Sequence, residues 1–96
     1  MTHWVLAPDA ADDLERLADF LTETLPQAAV QTVDLIFDAL GILVHHPRIG
    51  RPLSRGLREL VISRGQSGYL ALYTYDDVAD LVLVLAIRHQ REQDYH

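Results

Sequence analysis

Apolar residues recur along this chain with three different periods, and the changes of period divide it into elements. Trp4-Val5-Leu6 is a short apolar start that reads as an edge strand, and Ala7-Pro8-Asp9 breaks it. Leu14, Leu17, Ala18, Leu21 and Leu25 then return at helical spacing. Asp9 stands where an N-cap is expected, and Asp12 and Asp13 fall in the first turn, where the helix dipole favours negative charge. The pattern predicts a helix from about Asp9 to Glu23. Thr24-Leu25-Pro26-Gln27 fits a capping box with proline in the first turn of a second helix. Ala29, Val30, Val33, Ile36, Phe37, Leu40 and Leu43 form the apolar stripe of that helix. His45-His46-Pro47 should end it, because proline disfavours helix in the residue before it. So short a link makes the two helices an antiparallel hairpin.

Beyond residue 46 the period changes. Pro47-Arg48-Ile49-Gly50-Arg51-Pro52 reads as a loop and Leu57 to Ile62 as a strand. Arg64-Gly65-Gln66-Ser67-Gly68 is a turn. Tyr69 to Tyr75 alternates, with Tyr69, Ala71, Tyr73 and Tyr75 on one face and Leu70 and Leu72 on the other. The tyrosine stripe reads as a core or half-buried aromatic layer and Trp4 as a packing anchor at the sheet edge. Asp76-Asp77 marks the next turn. Leu81-Val82-Leu83-Val84-Leu85-Ala86-Ile87 is apolar throughout, as a central strand covered on both sides, or nearly so, would be. The tail from Arg88 to His96 becomes abruptly polar. The predicted class is therefore α+β: a short N-terminal strand, then a helical hairpin packed on one face of a mostly antiparallel four-stranded sheet.

Composition narrows the function. The chain has 96 residues, read as one domain spanning 1–96, and 49% of them are apolar. A chain of this size buries only about 60–65% of its unfolded surface, so a partner can matter to its stability. There is no cysteine, which excludes disulfides, thiolate metal sites and a cysteine nucleophile. His45 and His46 are adjacent on a helix, about 100° apart, and make a poor metal pair; no metal and no cofactor are expected. Neither a secretory signal nor an apolar run of about 20 residues is visible, so the expectation is a cytoplasmic protein without a membrane partner. The net charge is −6 and every cation is arginine. An acidic chain does not attract nucleic acid by bulk electrostatics, so sequence-specific nucleic-acid binding is not expected. Arginine suits bidentate pairing with the carboxylates of an acidic peptide.

The second half carries Pro47-x-x-Gly50-Arg51-Pro52, Leu57-Arg58-Glu59-Leu60-Val61-Ile62, Ser67-Gly68-Tyr69-Leu70-Ala71-Leu72-Tyr73 and Leu85-Ala86-Ile87-Arg88-His89-Gln90-Arg91-Glu92. The first half adds Ala10-Ala11-Asp12-Asp13-Leu14 and the helix pair. In order and spacing these segments resemble the ParE/RelE toxin superfamily, over nearly the whole chain. The resemblance implies a toxin silenced by an antitoxin whose C-terminal segment wraps it. It also implies one of two targets. ParE-like members bind and poison DNA gyrase without hydrolytic activity, and RelE-like members cut messenger RNA in the ribosome.

Metal-free RNA cleavage needs a base, cations for the phosphate and an acid. Arg58, Arg88, His89, Arg91 and Tyr95 offer suitable groups. Several features depart from the RNA-cutting pattern. Tyr69 stands where those relatives place an arginine at the start of the penultimate strand, lysines are lacking, and Arg88-His89-Gln90-Arg91 does not match their C-terminal His or Tyr. The resemblance therefore implies a non-enzymatic gyrase poison held by a ParD-like antitoxin in a hetero-oligomer, with RNA cleavage through Arg58, Arg88, His89 and Tyr95 as the alternative. The residues expected to meet antitoxin or target are Leu17 and Leu21 on the hairpin, with Arg58, Arg88, His89 and Arg91 from the sheet. Arg58, next to Glu59, reads equally well as a member of surface or cross-strand ion pairs and as an antitoxin anchor. Arg51 reads as a structural support of its turn.

Overall fold

The computed structural model describes residues 2–64 and 67–89. A short strand β1 (His3–Leu6) leads into α1 (Pro8–Thr24) and α2 (Pro26–His45). Then follow β2 (Arg51–Pro52), a single 3-10 turn (Ser54–Gly56), and the long strands β3 (Leu57–Arg64), β4 (Ser67–Asp76) and β5 (Leu81–His89). The sheet order is β1-β5-β4-β3-β2, with β1 parallel to β5 and every other pair antiparallel. This is the α+β arrangement expected, with five strands rather than four. The additional strand is β2, two residues inside the expected Pro47–Pro52 loop, pairing Arg51 with Glu59 and Pro52 with Arg58. A proline is tolerated there because β2 lies at the sheet edge, where one side of the strand needs no donor.

Both expected helix caps are corrected. α1 begins one residue earlier than Asp9: Pro8 is its first residue and Ala7, in extended conformation, its N-cap, without a side-chain hydrogen bond. Proline lacks the N–H that a cap would satisfy and already has helical φ, so it starts the helix by itself. The Thr24-to-Gln27 capping box does not form. Thr24 closes α1 with its hydroxyl donating to the Phe20 carbonyl, and Leu25 alone joins the helices, its N–H bonded to Leu21 O and its carbonyl accepting from Ala28 N.

The core lies between the hairpin and one sheet face. Ile36, Leu40 and Leu43 of α2 and Ala10 and Leu14 of α1 meet Ile62, Tyr69, Ala71, Tyr73, Val82, Val84 and Ile87. The tyrosine stripe is thus core, as its alternation predicts. Trp4 is half-buried, its ring 5.7 Å from that of Phe37. β5 lies inside the sheet, between β1 and β4, but only its core face is fully covered: Leu81, Leu83 and Leu85 on the other face are half-buried, so the unbroken apolar run overstates the cover. One irregularity decides what its end presents. Leu72 pairs with Ala86 but Tyr73 pairs with Val84, so Leu85 is an extra residue in β5. A bulge reverses the in–out alternation beyond it. Ile87, rather than Ala86 alone, therefore joins Val82 and Val84 in the core, and His89 falls opposite Tyr69.

α2 is the more apolar of the two helices. Its 20 residues have a mean hydropathy of 1.5 in the richest window, enough by length and composition to cross a bilayer. Asp34 and Asp38 break its apolar run in sequence, which is why the run is not visible there. In this fold one face of α2 packs on the sheet, and Val30, Phe37 and Ile42 stay exposed on the others.

Candidate functional site: the α1–β5 cleft and the β2–β3 corner

The described candidates fall into two separate places. The first follows from the length of β1. Its four residues pair with Leu81 to Val84, and Ala7 N–H adds one more bond to Val84 O. Past that point no described strand lies on this side of β5, and α1 takes over. Asp13, buried with its side chain 3% exposed, accepts the Ile87 N–H at 3.0 Å. The same carboxylate pairs with the guanidinium of Arg88 and with that of Arg16, one turn along α1. A buried carboxylate is tolerated when its lone pairs are all met by donors, here a strand amide and two arginines. Arg88 in addition donates to Ile87 O. Above this node lies a cleft of about 280 Å³ walled by Leu17, Phe20 and Ile87, with Arg16, Arg88 and His89 at its rim. His89 sets its ring edge-on to Tyr69, centroids 5.3 Å apart. Phe20 is 61% exposed, and Leu25 and Val30, near the turn of the hairpin, are exposed as well.

The second place is the corner where β2 and β3 join. Arg58 does not pair with Glu59. Its Nη1 donates to the carbonyls of Arg48 and Gly50, both at 2.9 Å, and so ties the 47–50 loop to β3. Glu59 accepts instead from Arg51, at 2.8 Å. The Gly50 N–H donates to the buried Tyr73 hydroxyl at 2.8 Å. Burial pushes the Tyr73 phenol above its ordinary pKa, against the lowering effects of the Gly50 N–H and the Arg58 charge. Arg48 lies over the Tyr75 ring, 4.9 Å from its centroid, and reaches Asp77. Tyr75 donates to Asp80, and that bond raises the phenol pKa. Hydrogen bonds from Thr2 and Tyr75 lower that of Asp80. A cleft of about 290 Å³ opens here, lined by Arg48, Pro52, Leu53, Leu57, Arg58 and Tyr75.

The fold therefore does not bring Arg58 and Arg88 into one groove. Arg58 pairs with Tyr73 of β4 and Arg88 with Leu70, so they sit on either side of β4 and three residues apart along it. That is roughly 10 Å along the strands and two strand spacings across them. Leu17 lines the first cleft, but Leu21 is buried inside the hairpin at 6% exposure and offers no outer surface. Arg91 and Tyr95 lie outside the described residues. Asp13, Arg16 and Phe20 were missed. Asp13 had a signal: Ala10, Asp13, Leu14, Leu17 and Leu21 share one helix face, and an acid on an apolar face needs an internal partner. No group of three or more potential ligands that could hold a metal occurs among the described residues, and His45 and His46 are both exposed.

Residues 5–94 match the model of the ParE toxin of the type II toxin–antitoxin system parDE. The chain belongs to the ParE toxin family. A curated relative, the toxin RelE3 of Caulobacter vibrioides, is 36% identical over 88 residues, 92% of this chain and 94% of the relative. Among solved structures, a chain from the chromosomal ParDE system of P. aeruginosa superposes with a TM-score of 0.74 at 24% identity, over 93% of this chain and 96% of that one. That likeness is one of fold. A chain from the RelBE2 toxin–antitoxin complex of Mycobacterium tuberculosis superposes with a TM-score of 0.59 at 28% identity, over 92% and 96% of the two chains. The protein is thus a type II toxin of the ParE/RelE superfamily, and the relatives include both ParE- and RelE-named proteins.

Proposed function

We propose that this toxin acts on DNA gyrase without being an enzyme: it binds gyrase, stalls it with its DNA cleaved, and is neutralised by a ParD-like antitoxin. The observation that carries this reading is the separation of the two arginines. To cleave RNA, cations must converge on one phosphate. Arg58 is engaged with two backbone carbonyls and Arg88 with Asp13, in different clefts. Tyr69, at 4% exposure, lies in the core at the position where an RNA-cutting relative would hold an arginine. The ParE family match points the same way.

The antitoxin, on this reading, covers the hairpin tip and the α1–β5 cleft, meeting Leu17, Phe20, Arg88 and His89. Exposed aromatic side chains beside arginines are the usual anchors of such an interface. The protein then works in the cytoplasm, in a hetero-oligomer with its antitoxin. Gyrase, relaxed plasmid and the purified toxin test the proposal. Linear plasmid should accumulate with toxin and vanish when antitoxin is added; supercoiling that proceeds unchanged at micromolar toxin refutes it.

A further inference from the structure

We infer that Asp13 is a positioning residue for Arg88, and that the partner surface of the α1–β5 cleft depends on it. The inference rests on the reading above that Arg88 meets the antitoxin. β1 stops at the level of Val84, leaving the next inward amide of β5, that of Ile87, without a strand to receive it. A side chain from α1 replaces the missing strand: one Asp13 oxygen accepts the Ile87 N–H and also binds Arg88, while the other binds Arg16. The carboxylate is 3% exposed, whereas Arg88 is 24% exposed and reaches the cleft rim beside Leu17, Phe20 and His89. The buried charge thus fixes one end of the guanidinium and leaves its remaining donors for a partner's carboxylate. An arginine pinned in this way has lost its side-chain freedom before binding, so the partner does not bear that entropic cost. The bulge at Leu85 is part of the device, since by reversing the alternation beyond it the bulge turns Ile87 and His89 to the face of Ala71 and Tyr69, and Arg88 to the face of Leu70.

The test is a double-mutant cycle read as affinity for the cognate antitoxin. Asp13→Asn keeps an oxygen for the Ile87 N–H but removes the carboxylate charge that holds Arg88. It should weaken antitoxin binding about tenfold, the size of the Arg88→Ala loss. The double variant should be no weaker than Arg88→Ala alone. Asp13→Ala should give the same affinity as Asp13→Asn, yet lose the hydrogen-exchange protection of the Ile87 amide that Asp13→Asn retains. A residue that only supports the fold would instead give losses that add to that of Arg88→Ala. Additive losses, or Asp13→Asn binding at wild-type strength while Arg88→Ala binds weakly, overturn the positioning role alone. Arg88→Ala binding at wild-type strength overturns the reading of Arg88 as a partner contact, and this inference with it.

Discussion

Gly50 tests the packing of the β2–β3 corner, and its replacement by alanine should be among the most damaging small changes in the chain. Its φ is not in the left-handed region, so conformational freedom is not the reason for glycine here. The reason is the approach of Tyr73. A Cβ at position 50 would stand 2.6 Å from the Tyr73 hydroxyl, 2.7 Å from Cε1 and 2.9 Å from Cζ. Tyr73 is fully buried and paired on both sides, with Arg58 and Val84, so its ring has nowhere to retreat. Forcing a methyl into packed surroundings costs about 1–3 kcal/mol. Displacing the loop also loses the Gly50 N–H bond to the hydroxyl, another 0.5–1.5 kcal/mol or so. The sum for Gly50→Ala is about 2–4 kcal/mol, a fall in Tm on the order of 10–20 °C for a domain of this size. Tyr73→Phe leaves the Gly50 N–H unsatisfied and should cost about 1–3 kcal/mol. Combining the two removes the closest clash, so the double variant should lose about 1 kcal/mol less than the sum of the singles. Thermal and urea melts of the four proteins measure this. A Gly50→Ala variant within 0.5 kcal/mol of wild type, or strictly additive losses, would refute the contact on which the argument depends.

Phe20→Asp should weaken antitoxin binding at least tenfold while leaving Tm nearly unchanged, because the ring is 61% exposed; calorimetric titration beside a thermal melt checks both. Arg55 holds a left-handed backbone, φ 61°, next to Gly56 at 75°. Arg55→Val should therefore lower stability by about 1–2 kcal/mol, whereas Arg55→Gly should not lower it, as urea melts would show. The Asp80 carboxyl has its pKa lowered in the fold, so its contribution to stability is present above the ordinary carboxylate range and disappears as pH falls through the folded value. Asp80→Asn should accordingly show a shallower loss of stability in acid. Tyr73 and Tyr75 have raised pKa values, so their contribution is full below about pH 10 and is lost as pH rises through the folded values. Titration of phenolate absorbance should show both ionising late, and Asp80→Asn should return Tyr75 toward the ordinary value.

The layers of the fold were legible because helices and strands write different periods into the chain. The helical hairpin, the tyrosine stripe and the interior position of β5 follow from apolar spacing alone. β2 was not legible: two residues that include a proline carry no period, and only their register with Arg58 and Glu59 makes them a strand. The caps failed because Pro8 and Pro26 start their helices without a side-chain donor or acceptor. The candidate site was legible as residue types and not as an arrangement. Arg58, Arg88 and His89 were marked by the contrast between polar side chains and apolar strands. Which of them meet depends on the Leu85 bulge and on the early end of β1, and neither leaves a periodic trace. Asp13 stands out in the sequence only as an acid on an apolar helix face; its partner is an amide 74 residues away.

The most direct test of the central claim sets the two superfamily targets side by side with one toxin preparation. Gyrase with relaxed plasmid is the first arm, and translating ribosomes carrying a defined messenger are the second, each with and without antitoxin. The account predicts linear plasmid that accumulates with toxin and disappears with antitoxin, and an intact messenger. A messenger cut within the ribosome, together with unimpaired supercoiling, would contradict it and make Arg58 and Arg88 the first residues to re-examine.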